Sequence, residues 1–190
     1  MNASVSSLYT FKNFTTLTEQ ESQEVLSGRN DPEVRRWMMS DKVIRAEEHQ
    51  RFISGLHDNP HSVYVRIARA GHFAGVYSIN NLNAGSGLGG FWVSSKTRGR
   101  LLALNVVFHG MDYMFRTLDI ERIYGYQKQE NLSAIRLNAL LGLTLSEPSA
   151  TYAEDMQQIE ITKFQWQHKT TQDAKLLKLM DRMEKLNGTT

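Results

Sequence analysis

The stretch that most constrains this chain is a strand, a basic turn and a long helix in immediate succession. Phe91-Trp92-Val93 is an aromatic and β-branched run that predicts a strand, and Lys96-Thr97-Arg98-Gly99-Arg100 follows it. Apolar residues then recur at Leu104, Val107, Phe108, Met111, Phe115 and Leu118, the spacing of a helix that buries one side. The first backbone N–H groups of such a helix have no partner within it, and the positive end of the helix dipole adds to them. With cationic side chains beside those groups, the turn predicts a cradle for phosphate. Basic residues before a helix are more often solvated loop charges, so the local pattern by itself does not choose between ligand and solvent.

Composition narrows the classes. With 190 residues, 41% hydrophobic and 22% charged, the chain can bury a full core, and one α/β domain is expected. A net charge of +2 is too small for a nucleic-acid partner, which needs a concentrated basic face. The lack of cysteine excludes disulfides, zinc-thiolate sites and a thiol nucleophile, and with the last of these acyl transfer through a cysteinyl enzyme. Met1 to Ser7 lacks the charged start and apolar run of a signal peptide, and no apolar stretch approaches the ~18 residues of a membrane span. A cytoplasmic protein with no membrane partner is expected.

Around the central unit the chain alternates strand and helix signals. Leu8 to Phe14 alternates as a first strand, Thr18-Glu19-Gln20-Glu21 is a capping box that opens a helix, and Asp31-Pro32 starts a further helical piece over Glu33 to Met39. Glu47 to Leu56 carries Phe52, Ile53 and Leu56 on one side, and Asp58-Asn59-Pro60 stops it. Val63 to Ala68 and Phe73 to Ile79 predict an antiparallel pair turning at Ala70-Gly71-His72. Gly85-Ser86-Gly87-Leu88-Gly89-Gly90 spells G-x-G-x-x-G, but β-type residues follow instead of a helix, so a loop or a bulged strand entry is expected rather than a dinucleotide site. His57 and His61 have metal-ligand spacing, yet Pro60 keeps them off one helical turn and no third ligand is near, so no metal is predicted.

Arg122 to Tyr126 predicts a strand, Asn131 caps the helix that Gly142 ends, and Thr144 to Glu147 and Met156 to Phe164 predict the last two strands. From Asp173 to Leu186 a final helix carries Leu176, Leu179, Met180, Met183 and Leu186 in a stripe. Docking on its own domain and pairing with a second copy as a homodimer satisfy that stripe equally.

Arg98-Gly99-Arg100-Leu101-Leu102-Ala103 resembles the [Gln/Arg]-x-x-Gly-x-[Gly/Ala] motif of the GCN5-related N-acetyltransferases (GNAT), and Asn131 falls at the separation at which that family starts a helix. The resemblance runs from about Asn13 to Gln167. It implies an α/β fold with a mixed, mostly antiparallel twisted sheet of about six or seven strands and helices on both faces. Residues 1–169 would form that domain, and 170–190 a helical extension. The same resemblance implies acetyl-CoA as acyl donor. Arg98, Gly99, Arg100, Leu101, Leu102 and Ala103 would hold its pyrophosphate, the backbone N–H of Val93 would face the acetyl carbonyl, and Asn131, Ser133 and Arg136 would complete the contact.

Gly28 to Arg35, Trp37-Met38-Met39 and Ala46 to Ile53 are similar to signatures of the acetyltransferases that act on a UDP-4-amino sugar in pseudaminic acid synthesis. That similarity implies a nucleotide amino sugar as the small-molecule acceptor, held by Arg29, Asn30, Trp37 and Tyr77, with Glu48, His49 or an ordered water as base. The cations Arg29, Arg35, Arg36, Lys42 and Arg45 suit a nucleotide diphosphate. The plain alternative is that Arg29, Glu48 and His49 are helix-surface charges; Glu48 and His49 are adjacent and cannot share one face.

Three positions depart from the family pattern. Leu101 replaces the first motif glycine, although a backbone N–H remains. Asn138 stands where many members place a tyrosine that protonates the departing thiolate, and asparagine is no acid; a thiol with a pKa of about 8.5 leaves fairly well unassisted. Leu88, Gly89 and Gly90 offer no carboxylate where relatives often carry a glutamate base. Two rivals therefore stand beside the amino-sugar reading: an N-terminal or ribosomal-protein acetyltransferase of the same fold, and a catalytically silent CoA-binding relative.

Overall fold

In the computed structural model, which describes residues 8–96, 100–146 and 155–187, the strand signals assemble into one seven-stranded sheet. β1 (Tyr9–Asn13), β2 (Val63–Arg69), β3 (His72–Asn83) and β4 (Ser86–Val93) pair antiparallel in that order. Ala70 and Gly71, both at positive φ, turn β2 tightly into β3. Helix α4 (Arg100–Thr117) then crosses over, and this lets β5 (Arg122–Lys128) lie parallel to β4. β7 (Met156–Thr162) pairs antiparallel with β5, and the two-residue β6 (Thr144–Leu145) closes the edge.

Side chains alternate across β3, so its two faces have different partners. Tyr77 and Ile79 point to the face covered by α4, where they join Ile67, Val107, Met111, Met114, Ile123 and Ile161 in the main core. Gly110 allows the close approach of α4 there, since a Cβ at that position would lie 2.9 Å from both Ile67 Cδ1 and Tyr77 Cδ2. Val76 points to the other face, against Phe14, Val25 of α1 (Glu19–Asn30) and Ile53 and Leu56 of α3 (Ala46–Leu56). Helices thus lie on both faces. Leu176 and Met180 of α7 (Ala174–Asn187) are buried in the main core and Leu179 packs against it, so this first part of the C-terminal stripe docks on its own domain. No helix among the described residues is long and apolar enough to cross a membrane.

Two local expectations change. Helix α2 (Pro32–Arg35) is a single turn and does not reach Met39. The strand expected through Phe164 stops at Thr162, which caps α6 (Lys163–Gln172): Gln165 N–H donates to Thr162 Oγ1 at 3.2 Å and Thr162 N–H returns to Gln165 Oε1 at 2.8 Å. The 169/170 boundary therefore falls inside a helix. The glycine-rich run takes the second of its two expected forms, a strand entered through a register shift between Asn80 and Asn83. Its glycines are required by packing, since a Cβ on Gly87 would meet Ile79 Cγ2 at 2.3 Å and one on Gly89 would meet Ile123 Cγ2 at 2.5 Å.

Candidate active site

β4 and β5 pair only over Ser86–Leu88 and Arg122–Tyr124, yet they continue to Val93 and Lys128. Past Leu88 they therefore diverge, and backbone accounting shows what faces the gap. Ser94 N–H donates to the Ala74 carbonyl at 2.9 Å while Val93 lies opposite Gly75, so Ser94, Trp92 and Gly90 turn their polar groups to β3. Phe91 and Val93 must turn theirs the other way, into the wedge where β5 has moved off, while Gly89 N–H still closes the Leu88–Tyr124 pair. Backbone N–H and C=O groups so placed call for a partner. The wedge is the inner end of a cleft of about 650 Å³.

On the α4 side, Val93, Ala103, Asn131, Ser133 and Asn138 are all brought to this cleft. Asn131 Oδ1 accepts from Ala134 N–H at 3.1 Å and so caps α5 (Leu132–Leu141), which holds Asn131 at the cleft wall. Leu102 and Arg136 are not part of its lining, and Arg136 is exposed. Arg98 and Gly99 lie outside the described residues; Arg100 and Leu101 form the first turn of α4. An extended amide-bearing arm fits the unpaired strand edges, and a phosphate fits the start of an 18-residue helix. These residues suit acetyl-CoA.

Asn138 is 3% exposed, and its Nδ2 donates to Gln127 Oε1 at 2.8 Å. Gln127 in turn donates from Nε2 to Gln157 Oε1, a longer contact of 3.4 Å. Asn138 Oδ1 is buried without a partner among the described residues. Gln127 and Gln157 escaped the sequence reading, although a glutamine in phase with Ile123 and Gly125 on an alternating strand was a legible signal of a polar group turned inward.

On the opposite face of the sheet the cleft is walled by Arg29, Trp37, Tyr64, Ser78, Asn80 and Lys128. Arg29 donates from Nη2 to the Ser40 carbonyl at 2.9 Å, while its buried Nη1 has no partner among the described residues. Burial, and then the neighbouring Arg35, holds its pKa below the usual guanidinium range. Trp37 is half-buried with the Arg36 guanidinium 5.0 Å from its ring. Lys128 Nζ reaches the Arg36 carbonyl at 3.2 Å and ties β5 to the segment after α2. Burial pushes the Tyr64 hydroxyl up, against hydrogen bonds to Asn80 and Ser78.

Three expected acceptor-side residues have other places, and a fourth is largely buried. Asn30 spends its side-chain amide on the chain itself: Nδ2 donates to the Ile44 carbonyl and Oδ1 accepts from Ile44 N–H, both at 2.8 Å. Tyr77 does line the cleft, but its ring is 2% exposed and packs against Gly110, and burial pushes its hydroxyl up. Glu48 accepts from Arg45 N–H at 2.8 Å and caps its own helix. His49 is 7% exposed at a separate groove between α1 and α3, edge-on to Phe14, with its pKa lowered by burial. Neither Glu48 nor His49 lines the cleft, so the structure does not bring the expected bases to the site.

Residues 13–144 match the acetyltransferase (GNAT) domain family. Over 128 residues the chain is 27% identical to the acetyltransferase PseH of Campylobacter jejuni strain 81-176, covering 66% of this chain and 78% of that protein. The crystal structure of C. jejuni N-acetyltransferase PseH in complex with acetyl coenzyme A shares the fold with a TM-score of 0.64 at 21% identity, over 82% of this chain and 99% of that one. Spermidine N-acetyltransferase from Vibrio cholerae, in complex with CoA and spermine, gives a TM-score of 0.73 at 16% identity over 85% and 99%. With the family match spanning residues 13–144, the chain belongs to the GNAT family and is an acetyl-CoA-dependent N-acetyltransferase.

Proposed function

We propose that the acceptor is the amine of a UDP-linked amino sugar, acetylated by direct attack without a covalent enzyme intermediate. The observation that carries this reading is Arg29, a guanidinium at the cleft wall with a buried, unpartnered Nη1. Its needs match an anionic ligand such as a diphosphate. The charge balance agrees: the cleft is lined by Arg29 and Lys128, and its carboxylate among the described residues, Glu33, is already paired with Arg36 at 3.0 Å. A cationic peptide terminus or polyamine would find few counter-charges there. The likeness to PseH points the same way. Of the wider basic cluster, Arg35 is occupied by the carbonyls of Asn30 and Asp41, which leaves Arg29 as the member that lines the cleft.

Bound acetyl-CoA supplies an acetyl thioester. The chain's own part is positional. Val93 N–H, turned into the wedge, is a donor for an oxygen on which negative charge builds. Trp37 and Tyr64 give apolar walls, and the polar floor of Ser78, which donates to the Gly90 carbonyl at 3.3 Å, gives water a path for the proton leaving the amine. In acetyl-CoA-saturated enzyme, UDP alone should raise the melting temperature, and Arg29→Gln should abolish most of that rise. If UDP gives no shift in either protein, the nucleotide-sugar reading fails.

A further inference from the structure

The amide chain Asn138–Gln127–Gln157 has a direction. Asn138 gives a proton of Nδ2 to Gln127 Oε1 at 2.8 Å, and Gln127 gives one of Nε2 to Gln157 Oε1 at 3.4 Å. Reversing Asn138 would set its oxygen against Gln127 Oε1, so the reversal requires Gln127 and Gln157 to turn with it. Asn138 and Gln127 are 3% and 7% exposed, so the pair is shielded from water. The group left over is an acceptor, Asn138 Oδ1, buried and unpartnered at the cleft wall. An orphaned buried carbonyl of this kind costs free energy until a donor reaches it.

Position identifies the donor. Continuing the parallel register from Leu88 opposite Tyr124 sets Gln127 level with Phe91, between the paired end of the wedge and Val93. Asn138, in contact with Gln127, therefore lies alongside the stretch of β4 whose unpaired backbone groups receive the cofactor's reactive end. We propose that Asn138 Oδ1 accepts a hydrogen bond from the thiol of CoA, so that the site distinguishes spent cofactor from acetyl-CoA by the proton on sulfur, with Gln127 as the positioning residue. The inference rests on the cofactor lying in the wedge. A thioester sulfur has no proton to give, and a thiolate would meet the carbonyl lone pairs; only the thiol form is complementary. The proton that the attacking amine loses, carried through water, ends on the departing sulfur, and Asn138 Oδ1 then holds the resulting neutral thiol as product.

The test is binding by calorimetry, under reductant, of CoA and acetyl-CoA in parallel from pH 6.5 to 9.5. With a thiol pKa of about 8.5, CoA affinity should fall about tenfold between pH 7 and pH 9.5 while acetyl-CoA affinity follows a flat or common baseline. Asn138→Ala should make the two profiles parallel, with its acetyl-CoA affinity as the control for folding. Gln127→Leu, which frees Asn138 to turn its amide outward, should abolish or reverse the fall. Parallel profiles in the wild-type enzyme, or CoA binding that tightens with pH, overturn the proposal, and so does a full fall retained in Asn138→Ala. Equal weakening of CoA and acetyl-CoA by Asn138→Ala at every pH also overturns it, because the oxygen would then serve a part of the cofactor common to both. Failure of acetyl-CoA to bind at any pH would instead remove the cofactor from the wedge.

Discussion

Asn30 and Ile44 hold each other by two reciprocal hydrogen bonds of 2.8 Å across fourteen residues of chain. The clamp fixes the segment after α2, whose Ser40 carbonyl anchors Arg29. Asn30→Ala should destabilise the protein by about 1–2 kcal/mol in denaturant unfolding, the scale for losing half-buried hydrogen bonds. It should also raise the acceptor KM several-fold at unchanged acetyl-CoA affinity. Lost acceptor binding with undiminished stability would instead mean that Asn30 touches substrate.

Glu48 and His49 are predicted to be dispensable for chemistry. Glu48→Gln keeps an oxygen for Arg45 N–H, and His49→Gln replaces a ring buried away from the cleft. Each variant should retain kcat within about threefold. A loss of ~10²- to 10⁴-fold with normal acetyl-CoA binding would identify a general base and contradict their placement.

Acid should weaken the fold through a buried imidazole. His109 stacks on Tyr9 at 4.4 Å, and burial pushes its pKa down to about 4 against the upward pull of Asp112. The unfolded chain then binds the extra proton between about pH 6.5 and pH 4, so stability is lost as pH falls through that window, by at most about 3 kcal/mol. His49, lowered by burial in the same direction, adds to this slope. His109→Phe should reduce the loss seen by urea unfolding at pH 7, 5.5 and 4.5 without abolishing it; an unchanged slope contradicts the assignment. Glu21, whose pKa is lowered to about 2, chiefly by its hydrogen bond to Lys12, acts in a separate window below about pH 4.5.

How far these features could be read from sequence depends on the range of the forces behind them. Thr18 with Glu21, Asn131 with Ala134, and Gly142 at positive φ are local, and each was legible from a few neighbouring residues. The inward periodicity of α4 likewise announced its core face. The wedge was not legible, because it is a failure of pairing between β4 and β5, and alternation specifies a strand's faces but not how far its edges stay together. Asn30 resembled a ligand residue because its partner, Ile44, sits in a segment without regular structure. Glu48 resembled a base because a carboxylate at the third helical position reads the same whether it caps or catalyses. The Gln127–Asn138 contact joins a strand to the following helix across eleven residues and only exists once α5 has packed.

The most direct measurement is a competition of acceptors, with free thiol followed as acetyl-CoA is consumed. The enzyme is offered UDP-4-amino-4,6-dideoxy sugars, a set of peptide N-termini including ribosomal-protein sequences, and spermidine, each at the same concentration. The unpartnered Nη1 of Arg29 and the cation-rich cleft predict turnover of a nucleotide sugar at a kcat/KM well above that of any peptide or polyamine, and a fall of at least tenfold for the sugar in Arg29→Gln. Acetylation of a peptide terminus or of spermidine with no turnover of any nucleotide sugar would contradict the amino-sugar assignment.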